Sequence, residues 1–73
     1  MKYNLEEAFE QLEKIKEESN IVLVKLDGAR EKDTITVVIS RVKSIEGTIQ
    51  YHGNDLLLVI NKAINRYYEV KST

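Results

Sequence analysis

Tyr51-His52-Gly53-Asn54-Asp55-Leu56-Leu57-Leu58-Val59-Ile60 is the stretch on which the architecture turns. A polar break leads into an unbroken apolar run from Leu56 to Ile60. Such a run fits a buried strand or the start of a helix, and periodicity within it does not separate the two. If residues 52–55 turn a hairpin, Leu56–Ile60 becomes a fourth strand before a shorter helix. If Asn54 or Asp55 caps a helix, the apolar positions continue as Leu56, Val59, Ile60, Ala63, Ile64 and Tyr67 on one face as far as about Glu69. Asn61, Lys62, Asn65, Arg66 and Glu69 then form the outer face. Leucine's helix preference and the continuity of the pattern favour the helix. The strand alternative stays open at this level.

Working upstream, Glu46-Gly47 marks a turn, and Thr48–Tyr51 reads as a short strand with Ile49 and Tyr51 toward the core. Thr34–Val42 alternates as a strand, with Ile35, Val37 and Ile39 on one face and Thr36, Val38, Ser40 and Val42 on the other. Ile21–Leu26 is another strand, in which Val22, Val24 and Leu26 oppose Ile21, Leu23 and Lys25. Asp27-Gly28 opens a charged loop between these two strands, which pair most economically as a hairpin. The apolar stripe of the first element consists of Leu5, Ala8, Phe9, Leu12 and Ile15, and it predicts a helix from about Asn4 to Glu18. Asn4 and Glu7 have the spacing of a capping box, and Glu10 and Lys14 that of a favourable i,i+4 pair.

The expected fold is therefore α+β: a single small domain over 1–73, helix–strand–strand–strand–helix, with an antiparallel three-stranded sheet and both helices on one face. Two helices cover one face of such a sheet. The covered face takes Ile35, Val37, Ile39, Ile49, Tyr51 and one set from the first strand. The open face keeps Thr36, Val38, Ser40, Val42 and either Ile21, Leu23 and Lys25 or their alternates, a surface half apolar and half polar. Leu58 falls toward the polar side of the last helix without an obvious buried partner.

The chain has 73 residues and no cysteine, which excludes disulfide and thiolate–metal staples. No apolar run approaches the length of a bilayer span, and none follows Met1-Lys2 as in a secretory leader, so a cytoplasmic protein is expected. Charge is uneven. Residues 1–20 carry Lys2, Lys14 and Lys16 against Glu6, Glu7, Glu10, Glu13, Glu17 and Glu18, a net −3, and the remainder is net +2. The acidic first helix argues against a broad phosphate-binding surface.

Catalytic equipment is sparse. His52 is the only histidine, and no serine has the spacing of an activated nucleophile. His52 with Asp55 offers too few ligands for a metal, and the isolated glycines form no phosphate loop. We expect no enzyme activity, no cofactor, no metal, no membrane association and no small-molecule substrate. The element order is that of double-stranded-RNA-binding domains, but the last helix lacks their initial lysine cluster. Arg41, Lys43, Lys62, Arg66 and Lys71 remain as a nucleic-acid alternative, and a self-associating structural module is another.

Val24-Lys25-Leu26-Asp27-Gly28, a polar loop, Ile35-Thr36-Val37-Val38-Ile39-Ser40-Arg41-Val42, Glu46-Gly47 before a short strand, and a helix ending near Tyr67-Tyr68-Glu69 together resemble the small phage-encoded anti-CRISPR proteins of the type II-A kind, over about residues 5–69. That resemblance implies a compact phage or mobile-element inhibitor that blocks a host defence protein, an RNA-guided nuclease, using acidic side chains in place of DNA. This chain departs from the pattern in being nearly neutral and in ending Val70-Lys71-Ser72-Thr73, without an acidic final helix. Only Glu46 and Glu69 match its acidic positions. The expected activity is protein binding through Glu13, Glu17, Glu18, Glu46, Leu58, Tyr67, Tyr68 and Glu69, with a homodimer through the open sheet face as a further expectation.

Overall fold

The computed structural model describes residues 2–43 and 47–72. Its elements are α1 (Leu5–Glu17), β1 (Ile21–Leu26), β2 (Ile35–Ser40), β3 (Thr48–Gly53) and α2 (Leu56–Lys71). The strands form one antiparallel sheet in the order β1-β2-β3. The α+β architecture read from the sequence is the one observed, and Leu56–Ile60 is the first part of α2 rather than a fourth strand.

The helix wins there because Asp55 caps it. The Asp55 carboxylate accepts the backbone N–H of Leu58 at 3.1 Å, and the helical spacing then buries Val59, Ile60, Ala63, Ile64 and Tyr67. At the start of α1, the side chain of Asn4 accepts the Glu7 N–H at 2.9 Å, and the Glu7 carboxylate accepts the Asn4 N–H at 3.0 Å, completing the capping box. Ser19, at φ 70°, reverses the chain between α1 and β1.

Val37, Ile39 and Ile35 of β2 meet Ile49 of β3, the inner face of α2, and Ala8, Leu12 and Ile15 of α1 in one buried cluster. α2 lies across β2 and β3, whereas α1 packs on α2 and only lightly on β1. Both helices therefore occupy the same face. In register, Val22, Ile39 and Ile49 form one covered row and Val24, Val37 and Tyr51 the next.

Several boundaries and placements differ from the sequence reading. β3 continues to Gly53, two residues past Tyr51, because His52 and Gly53 pair with Thr36 and Ile35. β2 stops at Ser40, and Val42 lies in the turn beyond it. α2 runs on to Lys71. Leu26 has the parity of Val22 and Val24 but remains 67% exposed and, unlike them, is not packed against the core. Phe9 and Leu5 are also exposed despite lying on the apolar stripe.

Asn61 is the largest correction. Placed on the outer face by its position in the helix, it is 2% exposed. Its amide donates to the carbonyls of Tyr3 at 3.0 Å and Leu57 at 2.9 Å, and its carbonyl oxygen accepts the Tyr3 N–H at 2.9 Å. The segment before α1 is thus tied to α2 by a side chain that behaves like a strand edge, and burial of the amide is offset by complete hydrogen bonding.

Two substitutions probe this packing. A Cβ on Gly53 would come within 2.7 Å of Val59 Cγ2, whereas one on Gly28 meets nothing within 4 Å. Gly53→Ala is expected to destabilise the domain by about 1–3 kcal/mol in denaturant titrations, with Gly28→Ala nearly neutral. Asn61→Leu leaves the Tyr3 backbone groups without partners and is expected to cost about 1–3 kcal/mol by the same measurement.

Candidate functional site

The uncovered face of the sheet carries three cross-strand rows, read from the register as Ile21-Ser40-Thr48, Leu23-Val38-Gln50 and Lys25-Thr36-His52. Of the two sets left open by the sequence, the first strand thus presents Ile21, Leu23 and Lys25. Ile21 and Leu23 are 60% and 52% exposed. They adjoin the half-buried Val38 and make an apolar area at the β1 side of this face.

The β3 side is polar and internally organised. The Thr36 hydroxyl lies 2.9 Å from His52 Nδ1, and Gln50 Nε2 lies 3.1 Å from His52 Nε2. If the Gln50 amide donates to Nε2, Nδ1 carries the proton and donates to Thr36. His52 is exposed and its ring nitrogens face a hydroxyl and an amide, not carboxylates. No group of three His, Cys, Asp or Glu side chains among the described residues is placed to hold a metal ion.

A second cluster closes the open ends of α1 and α2. The Tyr67 hydroxyl donates to Glu18 Oε1 at 2.5 Å and accepts from Asn20 Nδ2 at 2.9 Å. The same Asn20 amide donates to the Ile15 carbonyl at 2.8 Å, and Lys71 Nζ donates to Glu18 Oε2. Hydrogen bonds from Lys71 and Tyr67 hold the Glu18 carboxyl below its ordinary range. Burial, reinforced by the Glu18 contact, raises the Tyr67 hydroxyl, and the Glu18 hydrogen bond raises Lys71. Arg41 and Lys43 border this cluster around an open cleft of about 250 Å³. Arg41 also faces Arg66 across a neighbouring cleft of about 230 Å³ against β3.

The acidic residues expected to meet a partner are not gathered into one site. Glu18 is engaged by Lys71 and Tyr67, and Glu69 pairs with Arg66 at 3.4 Å. Glu13 and Glu17 stand exposed on α1. Glu46 lies outside the described residues. Tyr67 is core, at 4% exposure, and offers only its bonded hydroxyl to the surface cluster. Tyr68 is half-buried and donates to Gln11 Oε1 at 2.8 Å. Leu58 is exposed on the first turn of α2. Among the basic residues, Arg41, Lys43 and Lys71 share one cleft and Arg41 and Arg66 the other, while Lys62 borders neither. The Glu10–Lys14 pair expected from helical spacing does not close to ion-pair distance among the described residues.

Sequence reasoning did not find Asn20 or the Thr36–His52–Gln50 arrangement. The second was within reach once β3 was extended to His52, since residues 50 and 52 share a face and register sets Thr36 opposite His52. No helix among the described residues is long and apolar enough to cross a membrane. Among known proteins, no family model, no curated protein and no solved structure matches this chain.

The Glu18 cluster makes a pH prediction. Because the folded state lowers Glu18 below its ordinary value of 4.5, its contribution is present above that value and is lost as pH falls through the lowered one. Tyr67 and Lys71 are raised above 10.0 and 10.5, so their contribution is full below those values and is lost at higher pH. Thermal melts of Glu18→Gln are expected to show a flatter acid limb than the parent chain.

Proposed function

We propose that this protein acts by binding another protein, and that its contact surface is the uncovered sheet face around Ile21, Leu23 and Val38. One observation carries the reading: exposed β-branched and leucine side chains sit side by side on a sheet whose other face holds the core. Apolar groups grouped this way lose unfavourable hydration when a partner covers them. The polar row of Thr36 and His52 and the flanking Lys25 supply a rim able to form hydrogen bonds.

Inhibition of a host defence nuclease is the finer form of this proposal. It draws on the resemblance to anti-CRISPR proteins and on the exposed carboxylates of α1, of which Glu13 and Glu17 are the ones not engaged elsewhere in the expected acidic set. Nucleic-acid binding is a second reading, favoured by the placement of Arg41, Lys43 and Lys71 around one cleft. It is the weaker one, because Lys71 is bonded to Glu18 and Lys62 stands apart.

The test is titration of the purified protein against candidate RNA-guided nucleases, with DNA cleavage as readout, beside double-stranded RNA at low ionic strength. Leu23→Lys is expected to leave the fold intact and to weaken protein binding by about 2 kcal/mol, the loss of a central apolar contact. Retention on RNA that weakens steeply with salt, without protein binding, would favour the second reading.

A further inference from the structure

We propose that the free edge of β1, together with the groove beneath α1, takes an extended, lysine- or arginine-bearing strand of a partner protein. This rests on the protein-binding reading but uses a different surface from the open sheet face.

The backbone of β1 sets the geometry. Asp27 N–H donates to the Thr34 carbonyl at 2.7 Å, and the register places Lys25, Leu23 and Ile21 opposite Thr36, Val38 and Ser40. Hydrogen-bonded pairs alternate along an antiparallel ladder. Ile21, Leu23 and Lys25 therefore direct their N–H and C=O groups at β2. Val22, Val24 and Leu26 direct theirs outward, at an edge that no described residue covers. Arg41 N–H donating to the Gly47 carbonyl fixes the complementary phase on β2, whose odd-numbered residues bond β3.

Edges of this kind are usually guarded by charge, proline or a bulge. Ile21-Val22-Leu23-Val24-Lys25-Leu26 has only Lys25. Beside it, Phe9, Leu12, Glu13 and Lys16 of α1 and Val22 and Val24 of β1 enclose a mainly apolar groove of about 210 Å³. A strand added here continues the sheet, sets alternate side chains in this groove, and covers the exposed Leu26 and Phe9.

Charge selects the occupant. Glu6, Glu10, Glu13 and Glu17 recur at i, i+4, i+7 and i+11 and form one exposed stripe along α1. Glu13 belongs both to the stripe and to the groove wall. None of the four is in an ion pair among the described residues. They suit a strand bearing basic side chains.

Space argues against a second copy in this place. With α2 across β2 and β3, α1 stands over β1. Antiparallel edge-to-edge pairing, which sets both helical layers on the same side, would bring the two β1 strands to about 4.8 Å, whereas two helices above them need roughly 8–10 Å. A lone strand brings no helix with it.

The experiment uses the full chain and a labelled peptide of about eight residues alternating lysine and valine, with its glutamate–valine counterpart as control. Fluorescence anisotropy measures binding, and amide exchange by NMR locates it. The expected result is peptide-dependent protection of the Val22, Val24 and Leu26 amides, with the acidic peptide at least about tenfold weaker. Glu13→Lys with Glu17→Lys is expected to weaken the basic peptide by about tenfold, and Phe9→Lys to abolish binding. Asn65→Lys, on the exposed side of α2, should bind as the parent does. No protection at millimolar peptide overturns the proposal. So does protection of those amides by self-association without peptide. Peptide contact confined to Ile21, Leu23 and Val38 overturns it as well, yet leaves the open-face reading standing; loss of all protein binding removes both.

Discussion

Ile60, Ile64, Val37 and Ile39 are buried together where α2 crosses β2 and β3, and the rest of the molecule depends on that contact. It fixes the face of β2 that is dry, and through register the faces of β1 and β3. Gly53 permits it, since the strand end approaches Val59 more closely than any side chain would allow. Because a domain of this size has one small core, each of these residues carries a large share of its stability.

α1 is attached to that centre more by particular polar contacts than by area. Ala8, Leu12 and Ile15 enter the core, but the ends of the helix are held by hydrogen bonds that reach across the chain: Asn61 to Tyr3 at one end, and Glu18, Asn20, Tyr67 and Lys71 at the other. Light packing of α1 on β1 is what leaves the groove between them, and the same arrangement keeps the β1 edge open. The light packing and the open groove are here one feature.

The two apolar surfaces follow from the arithmetic of layers. A three-stranded sheet with two helices on one face must leave its other face wet, and a meander must leave two edges. The β3 side meets water with Thr48, Gln50 and His52, in polar contact with Thr36. The β1 side meets it with Ile21, Leu23 and Leu26. That asymmetry, on a scaffold whose Glu18 and Glu69 are already paired, gathers the exposed apolar side chains of the sheet at the β1 side.

Element order, the faces of β2 and β3 and the first N-cap were legible in the amino-acid sequence, because alternation, helical period and Asn or Asp before a helix act over a few residues; the second cap was narrowed to Asn54 or Asp55, and the covered set of β1 was left open. Leu56–Ile60 lay at the limit of that reading, where a local apolar run fits two structures and only the cap and continued burial distinguish them. The tertiary structure alone decided that Asn61 is buried, that Leu26 is not, and that Glu18 belongs to Tyr67 and Lys71. In each case the deciding partner, or its absence, lies in a distant element: Tyr3 is 58 residues from Asn61, and Tyr67 is 49 from Glu18. Periodicity assigns a side chain to a face, but what that face meets is set by where the other elements stop.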